Sequence, residues 1–275
     1  MLPAGGLAYL WADVAAARPL IEVLSFEGMS GQDAAQVLDR TESAMAVVFP
    51  STSGGERRFY LAAFGSFPNR RANFSFSFSR SWKKQRSSAG NTYWLSRDNR
   101  IALAMGSNLA LVSNIDPFVE PSAVIPPQGF VEFRRAMALA GWLSGPAEYL
   151  DGFMGFIGLP IHIPAEDFFF GAARLPAGTG DDSHIWELVF KLRAASAREA
   201  RAFLAPFNLA VFLFRRGVGM PEESPSGTVT FMDIVAMLFA NPMEQEGEFL
   251  IMRTAAMDSA TVALLFNFFS LYSSQ

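Results

Sequence analysis

Apolar positions recur along the chain with two different spacings. In several stretches apolar and polar residues alternate, or a short apolar run lies between turn residues, and both patterns are typical of β-strands. The predicted strands are 6–11, 43–49, 57–64, 168–174 and 185–192, with a meander over 91–113. The residues at 51–55 and 178–182 are rich in Gly, Ser, Thr and Asp, which predicts that strands on either side of them form hairpins.

Elsewhere the apolar positions repeat every three or four residues, which predicts helices. The predicted helices are 13–24, one beginning at 30 or 31, 130–142, 147–157, 197–215 and 258–271. Asp13 and either Asp258 or Ser259 stand where N-cap residues are expected. Residues 68–86 fit either a strand or a helix, and we favour the helix.

Hairpins combined with helices predict an α+β fold, an antiparallel sheet packed with several amphipathic helices in α/β/α-like layers. A single compact domain over 1–275 is expected, with two similar halves, 1–116 and 128–275, as the alternative. The segment 117–127 would join the halves, because its four prolines disfavour regular structure. The order of hairpin, helix and further strands occurs on both sides of it, which suggests an internal duplication.

Composition changes the picture by showing an excess of apolar, aromatic residues. Hydrophobic residues make up 51% of the 275, and charged residues 17%, against about 25% in ordinary globular proteins. The 27 Phe exceed what one core of this size normally holds. A net charge of −4 argues against nucleic acid as a partner. No apolar run reaches the ~20 residues that a membrane-spanning helix needs.

Motifs for catalysis are missing from the sequence. It has no nucleophile elbow, no phosphate-binding glycine loop, no dinucleotide fingerprint and no cysteine. His162 stands close to Glu166 and Asp167, which would allow an acid–base pair. A histidine at the edge of a strand is the simpler interpretation. His184 fits a solvated turn. We therefore predict a protein that is not an enzyme and has no catalytic residues, cofactor or metal.

One basic run remains without an assigned role. Arg70 and Arg71 precede a group of cations at 80–86 that surrounds Trp82. Phospholipid headgroups, nucleic acid or simply solvent would each suit such a surface, and a solvated helix face is the simplest interpretation.

Three Phe-rich segments, 152–159, 203–214 and 262–272, are candidates for lipid contact. The first alternates glycine with bulky apolar residues, and the second is apolar around most of its circumference with arginines on both sides. Each is either a core helix or an interfacial helix lying among lipid headgroups. The residues predicted to contact lipid are Phe153, Met154, Phe156, Ile157, Leu159, Phe207, Val211, Phe212, Phe214, Leu265, Phe266, Phe268 and Phe269.

With these segments, its mass of 30.1 kDa and its preference for Arg over Lys, the chain resembles the treponemal 30 kDa outer-membrane-associated lipoproteins. That resemblance implies an α/β/α-type fold, insertion of amphipathic helices into lipid, a hydrophobic pocket and altered membrane permeability, with no catalytic residues. The chain opens almost directly in a predicted strand, so we expect that a leader peptide preceded it. The anchoring cysteine has no counterpart in this sequence.

The function predicted from the sequence is that of a non-enzymatic, membrane-associated spirochaete protein or lipoprotein. It would insert amphipathic helices into a lipid leaflet at the periplasmic face of the outer membrane and increase permeability. Its expected partner is membrane lipid or an apolar ligand, and no nucleic acid. A lipid or fatty-acid carrier with a hydrophobic pocket, and a protein-interaction scaffold, remain as alternatives.

Overall fold

The chain combines helices with antiparallel strands, many of which follow one another directly, and this confirms the predicted α+β class. The structure is a computed structural model. It describes residues 6–23, 31–49, 58–118, 128–156, 161–176, 185–218 and 231–273. The chain forms two compact units: residues 1–18 and 26–132 make the first, and residues 19–25 and 133–275 make the second.

The first unit is a meandering antiparallel sheet with short helices in its connections. Its elements are β1 (Ala8–Asp13), α1 (Val14–Ile21, ending in the second unit), α2 (Gly31–Leu38), β2 (Thr41–Val48), β3 (Phe59–Gly65), α3 (Asn69–Phe78), β4 (Trp82–Arg86), β5 (Thr92–Ser96), β6 (Ala102–Met105) and β7 (Leu109–Ser113). The strands pair in the order β1-β2-β3-β7-β6-β5-β4.

Local interactions account for the start of one helix and the end of one strand in this unit. The Asp13 carboxylate accepts a hydrogen bond of 3.0 Å from the amide of Ala16 and so caps α1, as predicted. Gly65 ends β3 where a Cβ atom would lie 1.9 Å from the carbonyl oxygen of Arg40. Only glycine fits there without moving the backbone.

The second unit repeats the arrangement with longer helices. Its elements are α4 (Gln128–Phe133, beginning in the first unit), a 3-10 turn (Arg134–Ala136), β8 (Leu139–Ser144), α5 (Ala147–Phe156), β9 (Asp167–Arg174), β10 (Ile185–Arg193), α6 (Ala197–Val218), α7 (Phe231–Leu238), β11 (Glu244–Glu246), β12 (Phe249–Arg253), β13 (Met257–Asp258) and α8 (Ser259–Ser273). The strands pair in the order β11-β12-β10-β9-β8, and β13 also pairs with β10.

The two units share an order of elements. Each has a strand, a helical connection, a two-stranded hairpin and further helix, followed by strands that return to the hairpin. The returning strand pairs with the second hairpin strand in both cases, β7 with β3 and β12 with β10. Such a shared order is what a duplication would produce, and the duplication itself stays a prediction.

Two predicted helices are wrong in part. The prediction of a helix over 130–142 fails after the 3-10 turn, because residues 139–144 form β8. Ala140, Gly141 and Trp142 are all buried, so both faces of this strand are covered. A strand of that kind has no polar alternation and cannot be told from a helix by periodicity. Within 68–86 the helix ends at Phe78, and residues 82–86 are strand β4.

Candidate functional site

The inner face of α6 packs against the second unit through side chains spaced three or four residues apart. Ala200, Phe203, Phe207 and Val211 are all buried on this face. The Phe207 ring centroid lies 5.3 Å from that of Phe203 and 6.1 Å from that of Phe239, which follows α7. The spacing is that of one stripe of an α-helix, so α6 is seated on the unit along much of its length.

Polar contacts fix α6 in that orientation. The Asn208 side chain both donates to the Met243 carbonyl, at 3.0 Å, and accepts from the Met243 amide, at 2.9 Å. Arg215 donates to the carbonyl of Ala240 at 3.0 Å. Near the start of the helix, Gln245 donates to the carbonyl of Ala197 at 2.9 Å. The helix is thus held at its start, its middle and its end, which determines the face that it turns outward.

The outward face of α6 is apolar over its central and C-terminal parts. We call this surface the outer stripe, and its members are exposed: Ala202, Ala205, Pro206, Leu209, Phe212 and Leu213. The three largest side chains, those of Leu209, Phe212 and Leu213, are each more than half exposed. Exposed arginines stand at both ends, Arg198 and Arg201 before the stripe and Arg216 after it. A helix with an apolar stripe and basic ends has the composition of an interfacial helix.

Four of the residues predicted to contact lipid are in α6, and they are divided between its two faces. Phe207 and Val211 are buried on the inner face, Phe214 is half-buried, and Phe212 lies on the outer stripe. In this conformation, contact with lipid would involve Phe212 together with Leu209 and Leu213. Leu209 and Leu213 were not among the residues predicted to contact lipid, although both are within four residues of Phe212.

In α8 the described side chains lie mostly inward. Leu265 is buried, Phe266 is half-buried and Leu264 is half-exposed. The Asp258 carboxylate accepts the Thr261 amide at 2.7 Å and caps the helix, as predicted. The side chains of the predicted lipid contacts Phe268 and Phe269 lie outside the described residues.

Five predicted lipid contacts lie in α5 or within three residues after it, and Met154 is the one whose side chain is described. Met154 is buried. The side chains of Phe153 and Phe156, and residues Ile157 and Leu159, lie outside the part of the chain that the structure describes. Gly155 is exposed, and a Cβ atom there would meet no neighbour within 4 Å. Lipid contact through this helix stays a prediction.

His162 pairs with Asp151, and not with Glu166 or Asp167, which are its acidic neighbours in the sequence. Asp151 of α5 bonds to the His162 ring at 2.6 Å and accepts the Ile163 amide at 2.8 Å. Burial of Asp151 raises its pKa, but the hydrogen bonds from Ile163 and His162 outweigh burial and leave the pKa below its usual value. The loop after α5 is thereby tied to the helix.

Glu166 and Asp167 bind Arg193 instead. Asp167 is buried, pairs with Arg193 and accepts the indole N–H of Trp142 at 3.0 Å, while Glu166 lies 2.9 Å from the Arg193 guanidinium. These neighbours engage both carboxylates in holding β8, β9 and β10 together. Across the described ranges, no group of three or more acidic or histidine side chains has the geometry to hold a metal ion. Over the same ranges, no helix is long and apolar enough to cross a bilayer.

These features define an α+β protein built from two antiparallel sheet units that carry amphipathic helices. No protein-family model matches the chain, and no curated protein matches it. Among solved structures the chain is similar to TP0453, a treponemal outer-membrane-associated lipoprotein. Crystal form I of TP0453 aligns with a TM-score of 0.60 and 16% identity, covering 97% of this chain and 95% of that one.

Two further crystal forms of TP0453 give the same result. Form III aligns with a TM-score of 0.59 and 15% identity over 97% of this chain and 98% of that one. Form IV aligns with a TM-score of 0.57 and 16% identity over 96% and 93%. The resemblance predicted from the sequence is thus confirmed at the level of the fold.

Proposed function

We propose that the protein is a non-enzymatic membrane protein of the peripheral kind, which lays α6 on a lipid leaflet with the outer stripe in the acyl boundary. The observation that carries this proposal is the exposure of Leu209, Phe212 and Leu213 on a helix whose opposite face is buried. Arg198, Arg201 and Arg216 would then lie at headgroup level, where their charges stay hydrated.

The free energy available from the outer stripe suits reversible attachment. Full burial of a Leu or Phe side chain is worth roughly 1.5–3 kcal/mol. The three large side chains are exposed by 57%, 58% and 56%, so their transfer from water to lipid would supply roughly 2.5–5 kcal/mol in total. Ordering of the helix at the surface offsets little of this, because α6 is already fixed by Asn208 and Arg215.

The likeness in fold to TP0453, an outer-membrane-associated lipoprotein, supports an outer membrane as the setting of this activity, and we propose the periplasmic face of that membrane. A helix that enters one leaflet without crossing the bilayer expands that leaflet only. We expect the resulting packing defects to increase permeability to small solutes. This consequence follows from the depth of insertion rather than from any pore.

The test is flotation of the protein with liposomes, together with release of a trapped dye. Replacing the three large side chains of the outer stripe, as Leu209→Ser, Phe212→Ser and Leu213→Ser, should lower the vesicle partition coefficient about 100-fold or more, since every 1.4 kcal/mol is a factor of ten. The matched control is Val23→Ser with Val37→Ser, which removes exposed apolar side chains from other helix regions and should leave partition unchanged.

Three results would contradict the proposal. The first is a folded wild-type protein that floats with no vesicle of any composition. The second is an equal loss of binding in the control variant, which would indicate general stickiness rather than a site on α6. The third is a tightly bound lipid that copurifies with protein inert towards vesicles, which would favour a carrier.

A further inference from the structure

Helix α3 of the first unit presents two large aromatic side chains to solvent. Phe74 and Phe78 are 67% and 74% exposed, and their ring centroids lie 4.8 Å apart at a tilt of 54°. No side chain of α3 is buried. Two adjacent, largely exposed phenylalanine rings form an apolar patch, and such a patch indicates a contact site.

The opposite face of α3 holds the helix in place. Asn73 accepts the indole N–H of Trp94 at 2.7 Å. The Phe76 ring lies edge-on to Trp82, with centroids 5.2 Å apart, and 5.7 Å from Trp94. Because these contacts fix the rotation of α3, the outward direction of Phe74 and Phe78 is a property of the fold.

Cations lie on the same side of the sheet as the aromatic pair. Arg70 precedes Phe74 by four residues, so the two side chains share a helix face with Phe78. On β4, Lys84 and Arg86 share the face of Trp82, because side chains alternate along a strand. Trp82 contacts α3, so Lys84 and Arg86 lie on the sheet face against which α3 packs, and both are exposed there.

No carboxylate of the described residues pairs with these cations. Within the described residues, the cations at 70, 71, 80, 84 and 86 are exposed and form no ion pair. The segment 58–118 contains nine of the chain's 22 Lys and Arg but two of its 26 Asp and Glu. The protein is acidic overall, so this segment is a separate basic region.

We propose that this region is a second membrane-binding surface that selects anionic phospholipid. We call it the α3–β4 surface, and it consists of Arg70, Arg71, Phe74, Phe78, Arg80, Lys84 and Arg86. The cations would bind headgroup phosphates, and the two rings would enter the acyl boundary. The proposal rests on the proposed function for its setting, a membrane, and adds to it the class of lipid recognised.

A lipid surface fits better than a nucleic acid. Nucleobases stack on free aromatic faces, whereas Phe74 and Phe78 lie against each other. Insertion into lipid requires only apolar bulk next to positive charge. Protection of the sheet edge would explain a lysine on the end strand β4, but it would not explain Arg70 and Arg71 on a helix.

The test compares vesicles of phosphatidylcholine alone with vesicles that also contain phosphatidylglycerol. Wild-type protein should prefer the anionic vesicles, and added salt should remove the preference. Each basic residue near an anionic surface contributes about fivefold in affinity. Lys84→Gln with Arg86→Gln should therefore lower binding to anionic vesicles about 25-fold, with binding to neutral vesicles unchanged.

Two variants sharpen the result. Lys83→Gln is the matched control, because Lys83 lies on the same strand but on the opposite face from Lys84. It should weaken anionic binding much less than Lys84→Gln does. Phe74→Ser with Phe78→Ser should weaken binding to anionic vesicles at high salt as well as at low salt, since these side chains act through burial.

The outcomes separate this inference from the proposed function. Equal binding of wild-type protein to neutral and anionic vesicles would overturn the inference and leave α6 insertion standing. Loss of insertion in the outer-stripe variant, with the anionic preference retained, would support two separate surfaces. Equal effects of Lys83→Gln and Lys84→Gln, or tighter binding of an oligonucleotide than of anionic vesicles, would overturn the inference.

Discussion

Two phenylalanines on opposite faces of α6 offer a direct test of how the helix is seated. Phe207 is 2% exposed and contacts the rings of Phe203 and Phe239, whereas Phe212, five residues later, is 58% exposed. The perturbation is the same in each case, Phe207→Ala or Phe212→Ala. The chemical change is identical, so any difference in outcome reports the environment alone.

The expected effects on stability differ by several kcal/mol. Truncation of a buried Phe to Ala removes its transfer free energy and leaves a cavity, at a total of about 3–5 kcal/mol. The loss of unfolding free energy in Phe207→Ala should fall in that range, because the contacts of the Phe207 ring with Phe203 and Phe239 are lost as well. Phe212→Ala leaves no cavity, so its free energy of unfolding should stay within about 0.5 kcal/mol of the wild-type value.

Denaturant unfolding followed by circular dichroism measures both values. The same variants are then compared by vesicle flotation, in which Phe212→Ala should bind more weakly while Phe207→Ala, if still folded, should not. Destabilisation by Phe212→Ala as large as that by Phe207→Ala would refute the assignment of an outward face. Unchanged stability in Phe207→Ala would refute the packing of α6 itself.

Three further variants test the interior and its response to pH. Asp167→Ala should lower the free energy of unfolding by about 2–4 kcal/mol, because it removes the buried carboxylate that pairs with Arg193 and accepts the Trp142 indole N–H, and leaves Arg193 with the more exposed Glu166. A loss below about 1 kcal/mol would contradict the role of the Asp167–Arg193 pair. Asp151→Asn should be less stable than wild type at neutral pH. This difference in stability should shrink as the pH falls through the lowered pKa of Asp151. The reason is that a carboxyl with a depressed pKa stabilises the fold only while it is ionised. An unfolding midpoint difference that is constant with pH would exclude this contribution. Gly65→Ala should destabilise the protein by about 1–3 kcal/mol through its clash with the Arg40 carbonyl, and thermal melting with little change would show that the strand end moves aside easily.

Local signals in the sequence were sufficient for much of the fold. The hairpin strands β2, β3, β9 and β10 lie close to their predicted positions, because their patterns are short and bounded by turn residues. Asp13 and Asp258 cap the helices for which they were chosen. Each of these signals involves residues that are neighbours along the chain.

Elements that depend on distant packing were missed. β8 was predicted as a helix because burial on both faces removes its alternation. α7 and β11 to β13 were not predicted, although Phe239 after α7 and Met243 before β11 provide the contacts that seat α6. Met243 lies 35 residues from its contact on α6, beyond the reach of any local pattern.

The site shows the same division. Residues 203–214 are apolar around most of the helix, so periodicity gives no reason to place Phe207 inside and Phe212 outside. The rotation of the helix is fixed by Asn208, whose side-chain amide donates a hydrogen bond to the Met243 backbone and accepts one from it. A polar residue in an otherwise apolar helix was the signal available in the sequence, since a buried amide must find hydrogen-bond partners.

The way α6 is held also decides how deeply it is expected to insert. Lipid contact by Phe207 and Val211 would require α6 to leave its seat, and the free energy of that step includes loss of their burial and of the Asn208 hydrogen bonds. Lipid would restore the burial but not the hydrogen bonds, because acyl chains offer no partner for an amide. Contact through the outer stripe avoids this step altogether. Shallow adsorption with α6 still seated is therefore the lower-energy mode, and deep insertion would need a lipid surface disturbed enough to let water or headgroups reach Asn208.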